Sequence, residues 1–297
     1  MQRELKGGII AIIAIVLIAI ILLHPQFPMG NQTPNKNPKN TTKIIISLYF
    51  GEKIVEERDV EPGNSVIDTL EQIANVSTAY NGKFVTGING INQNGTFFWF
   101  YYVNGILANV GASLYKIHPG DIIRWDFHRW NSKSIQYAEL ADFPEPFWHG
   151  YDGRVYNTTI VYQKEYLKYA KDLNAYLKRY GINATLTENV TKEELQRNNV
   201  IIIGYNTQIC TYLNNIHTKL GWDYYVKNGY IEDSRGYTYY GSFIQVSQSP
   251  YNPSGLNSCE NVIMWIYGTN ENYLKESIEN LMSGSISSFW YFHGEKI

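Results

Sequence analysis

Histidines, carboxylates and two cysteines are the residues of this 297-residue chain from which chemistry could be built. His118, His128, His149, His217 and His293 lack the paired helical spacing that a zinc site needs, and none sits in a nucleophile elbow, so surface or interface roles account for them better. Asp142 and Glu145 have the side chains of a glycosidase pair, yet Phe143-Pro144 between them and Pro146 after them suit an extended linker. Gly204-Tyr205-Asn206 follows an apolar run as a phosphate-binding turn would. The further glycines and the Lys-Ser/Thr that give such turns their donors do not follow. Asp121 comes after Gly120 and should order that turn through backbone hydrogen bonds. Arg124 and His128 alternate with Trp125 and Phe127, the pattern of a two-faced strand first and of a ligand surface second. No catalytic group and no metal set emerges, and the expectation is a protein that is not an enzyme.

Cys210 and Cys259 flank a loop of about 50 residues. In an oxidising exterior their pairing would stabilise by roughly 4 kcal/mol, and a disulfide is expected, with two unpaired buried thiols as the competing reading. Composition sets the frame for both. With 44% hydrophobic and 18% charged residues the chain can bury a core, and a formal net charge of -2 gives no drive toward nucleic acid. The 25 tyrosines suit half-exposed sheets as well as binding surfaces.

The compartment is read from the N-terminus. Residues 7–23 are apolar or glycine, with Arg3 and Lys6 before them, and the first 24 residues read as a membrane anchor with the body outside. A helix of roughly 17 residues is at the short end for a span, so a removed leader stays open. Residues 25–42, rich in Asn, Pro and Thr, read as a polar stalk. Outside placement makes the Asn-x-Ser/Thr sequons at Asn40, Asn75, Asn94, Asn157, Asn183 and Asn189 candidates for glycosylation, and Pro34 weakens one at Asn31.

Two bodies should follow, an α+β domain at 43–131 and an α/β domain at 155–297, joined by a linker at 132–154. In the first, Ile44–Phe50 and Lys53–Asp59 form a hairpin and Ser65 caps a short helix carrying Val66, Ile67, Leu70 and Ile73. Trp99-Phe100-Tyr101-Tyr102-Val103-Asn104-Gly105 and Pro119-Gly120-Asp121-Ile122-Ile123-Arg124-Trp125 are strands meeting turns. In the second, strands at Thr158–Tyr162, Ala184–Thr187, Val200–Ile203 and Val262–Tyr267 alternate with helices at Lys164–Tyr180, near Tyr212–Leu220 and around Tyr273–Met282. Such alternation predicts a parallel sheet with helices on its faces, with hairpin-like residues around Gly229 and Tyr237–Val246.

Asn64-Ser65-Val66-Ile67-Asp68-Thr69-Leu70, Phe84-Val85-Thr86-Gly87-Ile88-Asn89-Gly90 and the Trp99 and Asp121 strands together resemble the β-rich C-terminal domain of the transcobalamin and intrinsic factor family, of the DUF4430 type. That resemblance implies a domain that closes over a corrinoid such as cobalamin. It places Phe84, Thr86, Gly87 and Ile88 against the ligand's amides and Trp99 and Tyr101 as apolar cover. The alternative is that the Trp99 face packs on the helix beginning at Ser65. The family's helical barrel has no counterpart here, so the rest of the enclosure would come from the α/β domain, another chain or a transporter. The second half resembles the small α/β domains of archaeal S-layer and related surface proteins through Val200–Gly204, Ser249-Pro250-Tyr251-Asn252 and Ile266-Tyr267-Gly268. With the N-terminal anchor read above, the first resemblance implies a membrane-anchored external binding protein for a corrinoid or similar large ligand. A structural envelope or adhesion protein, with no small-molecule ligand, stands as the alternative.

Overall fold

A computed structural model describes residues 41–297; the anchor, most of the stalk and the sequons at Asn31 and Asn40 lie outside the described residues. No helix among the described residues is long and apolar enough to cross a membrane.

The first sheet has five strands. β1 (Thr42–Leu48) and β2 (Lys53–Val60) form the expected hairpin, and α1 (Val66–Leu70) follows, its N-terminus capped where the Ser65 hydroxyl accepts from Asp68 N. A small separate sheet comes next, made of β3 (Val76–Ala79), β4 (Phe84–Ile88) and β5 (Ile91–Asn92). β6 (Phe97–Val103), β7 (Ile106–Leu107) and β8 (Ile122–Arg129) complete the first sheet in the order β2-β1-β8-β6-β7, with β1 and β8 parallel. Strand alternation gives this sheet two unlike faces. Register places Trp99 opposite Phe127, Tyr101 opposite Trp125 and Val103 opposite Ile123 on an apolar face, which joins Val66, Ile67 and Leu70 of α1 in one cluster. The other face carries Tyr102 and Arg124, Phe100 and Asp126, and Ser47 beside Asp126.

The second sheet has eight strands. β9 (Thr158–Tyr162), β10 (Thr185–Thr187), β11 (Asn199–Ile203) and β15 (Val262–Gly268) run parallel in the order β10-β9-β11-β15. The apolar runs of β11 and β15 follow from burial on both faces. Ile201 and Ile203 meet α2 (Leu167–Lys178) and α5 (Glu271–Ser283), while Val200 and Ile202 lie in the cluster of α4 (Thr207–Ile216). α3 (Lys192–Arg197) opens with a full capping box from Thr191 and Glu194. The remaining strands turn the sheet mixed: β14 (Thr238–Gln248) runs antiparallel to β15, and it also pairs β13 (Tyr230–Asp233), which pairs β12 (Tyr224–Lys227). β16 (Tyr291–Lys296), which sequence reading did not foresee, adds to β14. The parallel sheet expected is therefore one half of a mixed sheet, because the hairpin residues around Gly229 extend the same sheet rather than standing apart from it.

Two expectations need correction. Asp142–Gly150 is not extended: it is a packed run of turns, with Phe147 and Glu145 fully buried. Aromatic packing explains this. Phe143 stacks on Tyr176 of α2 at 5.7 Å between centroids, and Trp148 meets Tyr180 edge-on at 5.1 Å. Nor is there a disulfide. Cys210 and Cys259 are both free and buried, Cys210 in the α4 cluster and Cys259 in the larger cluster on the other side of the second sheet, so the sheet itself separates them. Burial pushes the Cys210 thiol up to about 12 and the Cys259 thiol up to about 11.

Candidate functional site

A cleft of about 360 Å³ opens where three segments converge: the loop after β7 (Asn109, Val110, Leu114, Tyr115, Lys116), the hairpin from Tyr151 to Tyr156, and Ser258–Glu260 before β15. Each wall is held by its own local chemistry. The Tyr101 hydroxyl donates to Val110 O at 2.5 Å, and Ala112 O accepts from Val66 N of α1 at 3.0 Å, pinning the first loop to the sheet and the helix beneath it. Tyr115 ties that loop to the hairpin, since its hydroxyl reaches Asp121 Oδ2 at 3.3 Å and accepts from Asp152 N at 3.2 Å. The hairpin closes through Tyr151 N donating to Arg154 O and Arg154 N donating to Tyr151 O. Gly150 has φ +65, and a Cβ there would lie 1.9 Å from Arg154 O, so only glycine fits. Across the cleft, Asn109 Nδ2 donates to Asn257 O at 3.2 Å, and Cys259, at φ 56, accepts a backbone conformation that non-glycine residues seldom adopt.

The floor is aromatic and the rim aliphatic. Tyr115 and Tyr151 pack at 5.2 Å, and burial, the largest cause, pushes both hydroxyls well above the ordinary tyrosine value, so both stay protonated as donors. Leu114 stands 77% exposed at the mouth with nothing to cover it. A concave surface of apolar area with a few oriented polar groups is the usual form of a small-molecule site, and this one is near the lower size limit for such sites.

The residues singled out from the sequence take different places. Trp99 is 5% exposed and Tyr101 8%, both in the core over α1, so they support a surface without forming one. Trp99 Nε1 donates to Ile91 O of β5 at 2.9 Å, which fastens the small sheet down. Ile88 and Gly87 are buried, and a Cβ on Gly87 would lie 2.1 Å from Asn92 Oδ1. Phe84 is exposed, edge-on to Tyr80 at 6.3 Å, and Thr86 is half-buried. None of these six lines the cleft. Asn75, Asn94, Asn157, Asn183 and Asn189 are all exposed. Asp121 does order its turn, accepting from His118 N at 2.8 Å and from Asn104 Nδ2 at 2.8 Å.

Sequence reading also missed the buried network on the second face of the first sheet. Arg124 donates through two nitrogens to Asp142, at 2.6 and 3.0 Å, with Glu139 3.8 Å from Arg124 Nε. Asp126 accepts from Ser47 Oγ, Phe50 N and Gly51 N and meets His128 Nδ1 at 2.8 Å. Phe50 and Phe100 stack on that imidazole at 4.3 and 4.4 Å. Burial drives the Glu139 carboxyl far up, and the charge of Asp142 adds to it. Asp142 is held low despite burial by the Arg124 guanidinium. The signal available was the charged residue at every second position, Arg124, Asp126 and His128, which fits a strand whose second face is covered by polar partners.

One segment of this arrangement, residues 63–129, matches the family model described as Domain of unknown function (DUF4430). It includes the cleft loop 109–116 and all six residues singled out for binding. No curated protein matches the chain. Among solved structures, it is similar to a candidate metal binding protein from Ruminococcus gnavus ATCC 29149, at 11% identity and TM-score 0.27, over 31% of this chain and 100% of that one. It is also similar to haptocorrin in complex with Cbi, at 17% identity and TM-score 0.26, over 33% of this chain. The chain spans about a quarter of haptocorrin's length, 27%.

Proposed function

We propose that this chain is a binding protein that captures a corrinoid or a similar large amphipathic ligand, with the cleft at Leu114, Tyr151 and Glu260 as its point of attachment. The observation that carries the reading is the composition of that cleft: one wall belongs to the DUF4430 domain and the others to the second half of the chain, so ligand enclosure draws on both. No reaction is needed for this role. Apolar area from Leu114, Tyr115 and Tyr151 supplies affinity, and Asn109, Arg154, Tyr156 and Glu260 supply orientation. A corrin ring overfills 360 Å³, so one arm of the ligand enters while the ring lies across the mouth. In this reading the apolar segment at 7–23 anchors the protein with its body outside the cell, and a transporter or envelope protein receives the ligand. The corrinoid is the ligand class implied by the resemblance to the transcobalamin domain. Calorimetric titration of the full-length chain with cyanocobalamin, followed by gel filtration at the corrin's visible absorbance, tests the reading. Saturable binding that co-elutes supports it. A folded protein that binds no corrinoid would remove it and favour a structural envelope role.

A further inference from the structure

We propose that Asn183 carries a saccharide whose first ring is seated in a groove of this same chain, against Trp148, Tyr180 and the amide of Asn157. The groove has a volume of about 170 Å³ and meets the loop cleft at Tyr156, which lines both. Trp148, the residues entering β9 and the turn that follows α2 form its walls. No charged residue lines it, whereas Lys116, Asp152, Arg154 and Glu260 all line the cleft. Aromatic rings and amides without charge suit an uncharged polyol. The apolar face of a sugar ring lies on an aromatic ring, and an amide both donates to and accepts from hydroxyls. The volume is below that of the usual small-molecule site, which limits the occupant to about one ring.

Two sequons meet at this groove. Thr159 of β9 pairs in parallel with Thr185 of β10, so Asn157-Thr158-Thr159 and Asn183-Ala184-Thr185 end on register partners, and both asparagines line the groove. The two sequons differ in access. Thr159 is fully buried, and its hydroxyl accepts from Asn198 Nδ2 at 3.0 Å. Thr185 is exposed on the edge strand of the second sheet. A transferase that must hold the asparagine amide and the threonine hydroxyl together can engage only Asn183 on the folded chain. The new bond joins Asn183 Nδ2 to the anomeric carbon of a phosphate-activated sugar. The phosphate leaves with the bonding pair, and the amide gives up one proton. Asn157 then remains a free amide in the same groove, and Tyr180, three residues before Asn183, meets Trp148 edge-on at 5.1 Å.

Peptide mass spectrometry of the full-length chain from its own cells, joined to hydroxyl-radical footprinting, tests both parts of the proposal. The expected result is a saccharide mass on the Asn183 peptide and none on the Asn157 peptide. Thr185→Ala removes the sequon and keeps Asn183. That variant should lose the added mass, and labelling of Trp148 and Tyr180 should rise several-fold over wild type. Trp130, 52% exposed and placed just after β8, should label equally in the two proteins and so report an unchanged fold. An unmodified Asn183, or a saccharide on Asn157, would overturn the inference. So would a saccharide on Asn183 whose removal leaves the labelling of Trp148 and Tyr180 where it was. Corrinoid capture is untouched by any of these results.

Discussion

Arg124, Asp142 and Glu139 meet in a space with almost no water, where one guanidinium serves two carboxyls. Burial and the charge of Asp142 push the Glu139 carboxyl toward its neutral form, while the Arg124 guanidinium holds Asp142 toward its charged one. Removing one member therefore does more harm than the net worth of the pair. Asp142→Ala leaves a buried guanidinium without its bidentate acceptor and should cost about 3–5 kcal/mol, read as a lower denaturant midpoint with an unchanged slope. A loss within the range of an exposed ion pair, below about 1 kcal/mol, would mean that Arg124 finds water in solution. Individual residues were the least legible part of the sequence. Trp99 and Tyr101 read as ligand cover because aromatic strands line binding sites and cores alike. Their burial makes Trp99→Ala a cavity costing about 3–5 kcal/mol rather than a clean probe of binding. The cysteines misled for a related reason: loop length says what a crosslink would stabilise, not which side of a sheet each thiol occupies.

At the scale of elements, the turn-rich segment 136–150 fastens the first sheet to α2. Leu107 N donates to Tyr137 O, Glu139 N donates to Gly105 O and Leu140 N donates to Phe289 O, while Phe143 stacks on Tyr176. Its far end is held by the pair of Glu145 and His149. Burial by itself would lower the His149 imidazole, but the hydrogen bond and the charge of Glu145 outweigh it and the net direction is upward. Burial pushes the Glu145 carboxyl up and outweighs the hydrogen bond and charge of His149 that pull it down. The sign of the linkage follows from His149: stability is complete below its unfolded value of about 6.5 and falls as pH rises through the higher folded value. Thermal unfolding between pH 6 and 9 should show that decline, and His149→Phe should flatten it; an equal slope in the variant would assign it to other groups. Elements were largely legible, because periodicity and caps are local. Ser65, Thr191 with Glu194, and the Val200–Ile203 run all predicted structure at their own positions. β16 was not legible, since Tyr-Phe-His-Gly-Glu-Lys becomes a strand only through the β14 edge that receives it.

For the molecule as a whole, the change of pattern near residue 155 falls where the strands of the first sheet end and those of the second begin, but the cleft could not be read. Its lining comes from stretches as far apart as Asn109 and Glu260, and its walls are loops whose positions depend on what lies beneath them. Tyr101 and α1 hold one loop, Gly150 shapes the second, and Gln248 accepts from Cys259 N at 2.8 Å to hold the third. Leu114 is the one large apolar side chain there that packing leaves almost free, which makes it a probe that does not disturb the fold. The most direct measurement is the affinity of full-length wild type and Leu114→Asn for cyanocobalamin, with the unfolding midpoint of both taken in parallel. Loss of a buried leucine from a ligand contact corresponds to roughly 1.5–3 kcal/mol, so the variant should bind at least about tenfold more weakly at an unchanged midpoint. Equal affinity in the two proteins would contradict the cleft as the site of capture.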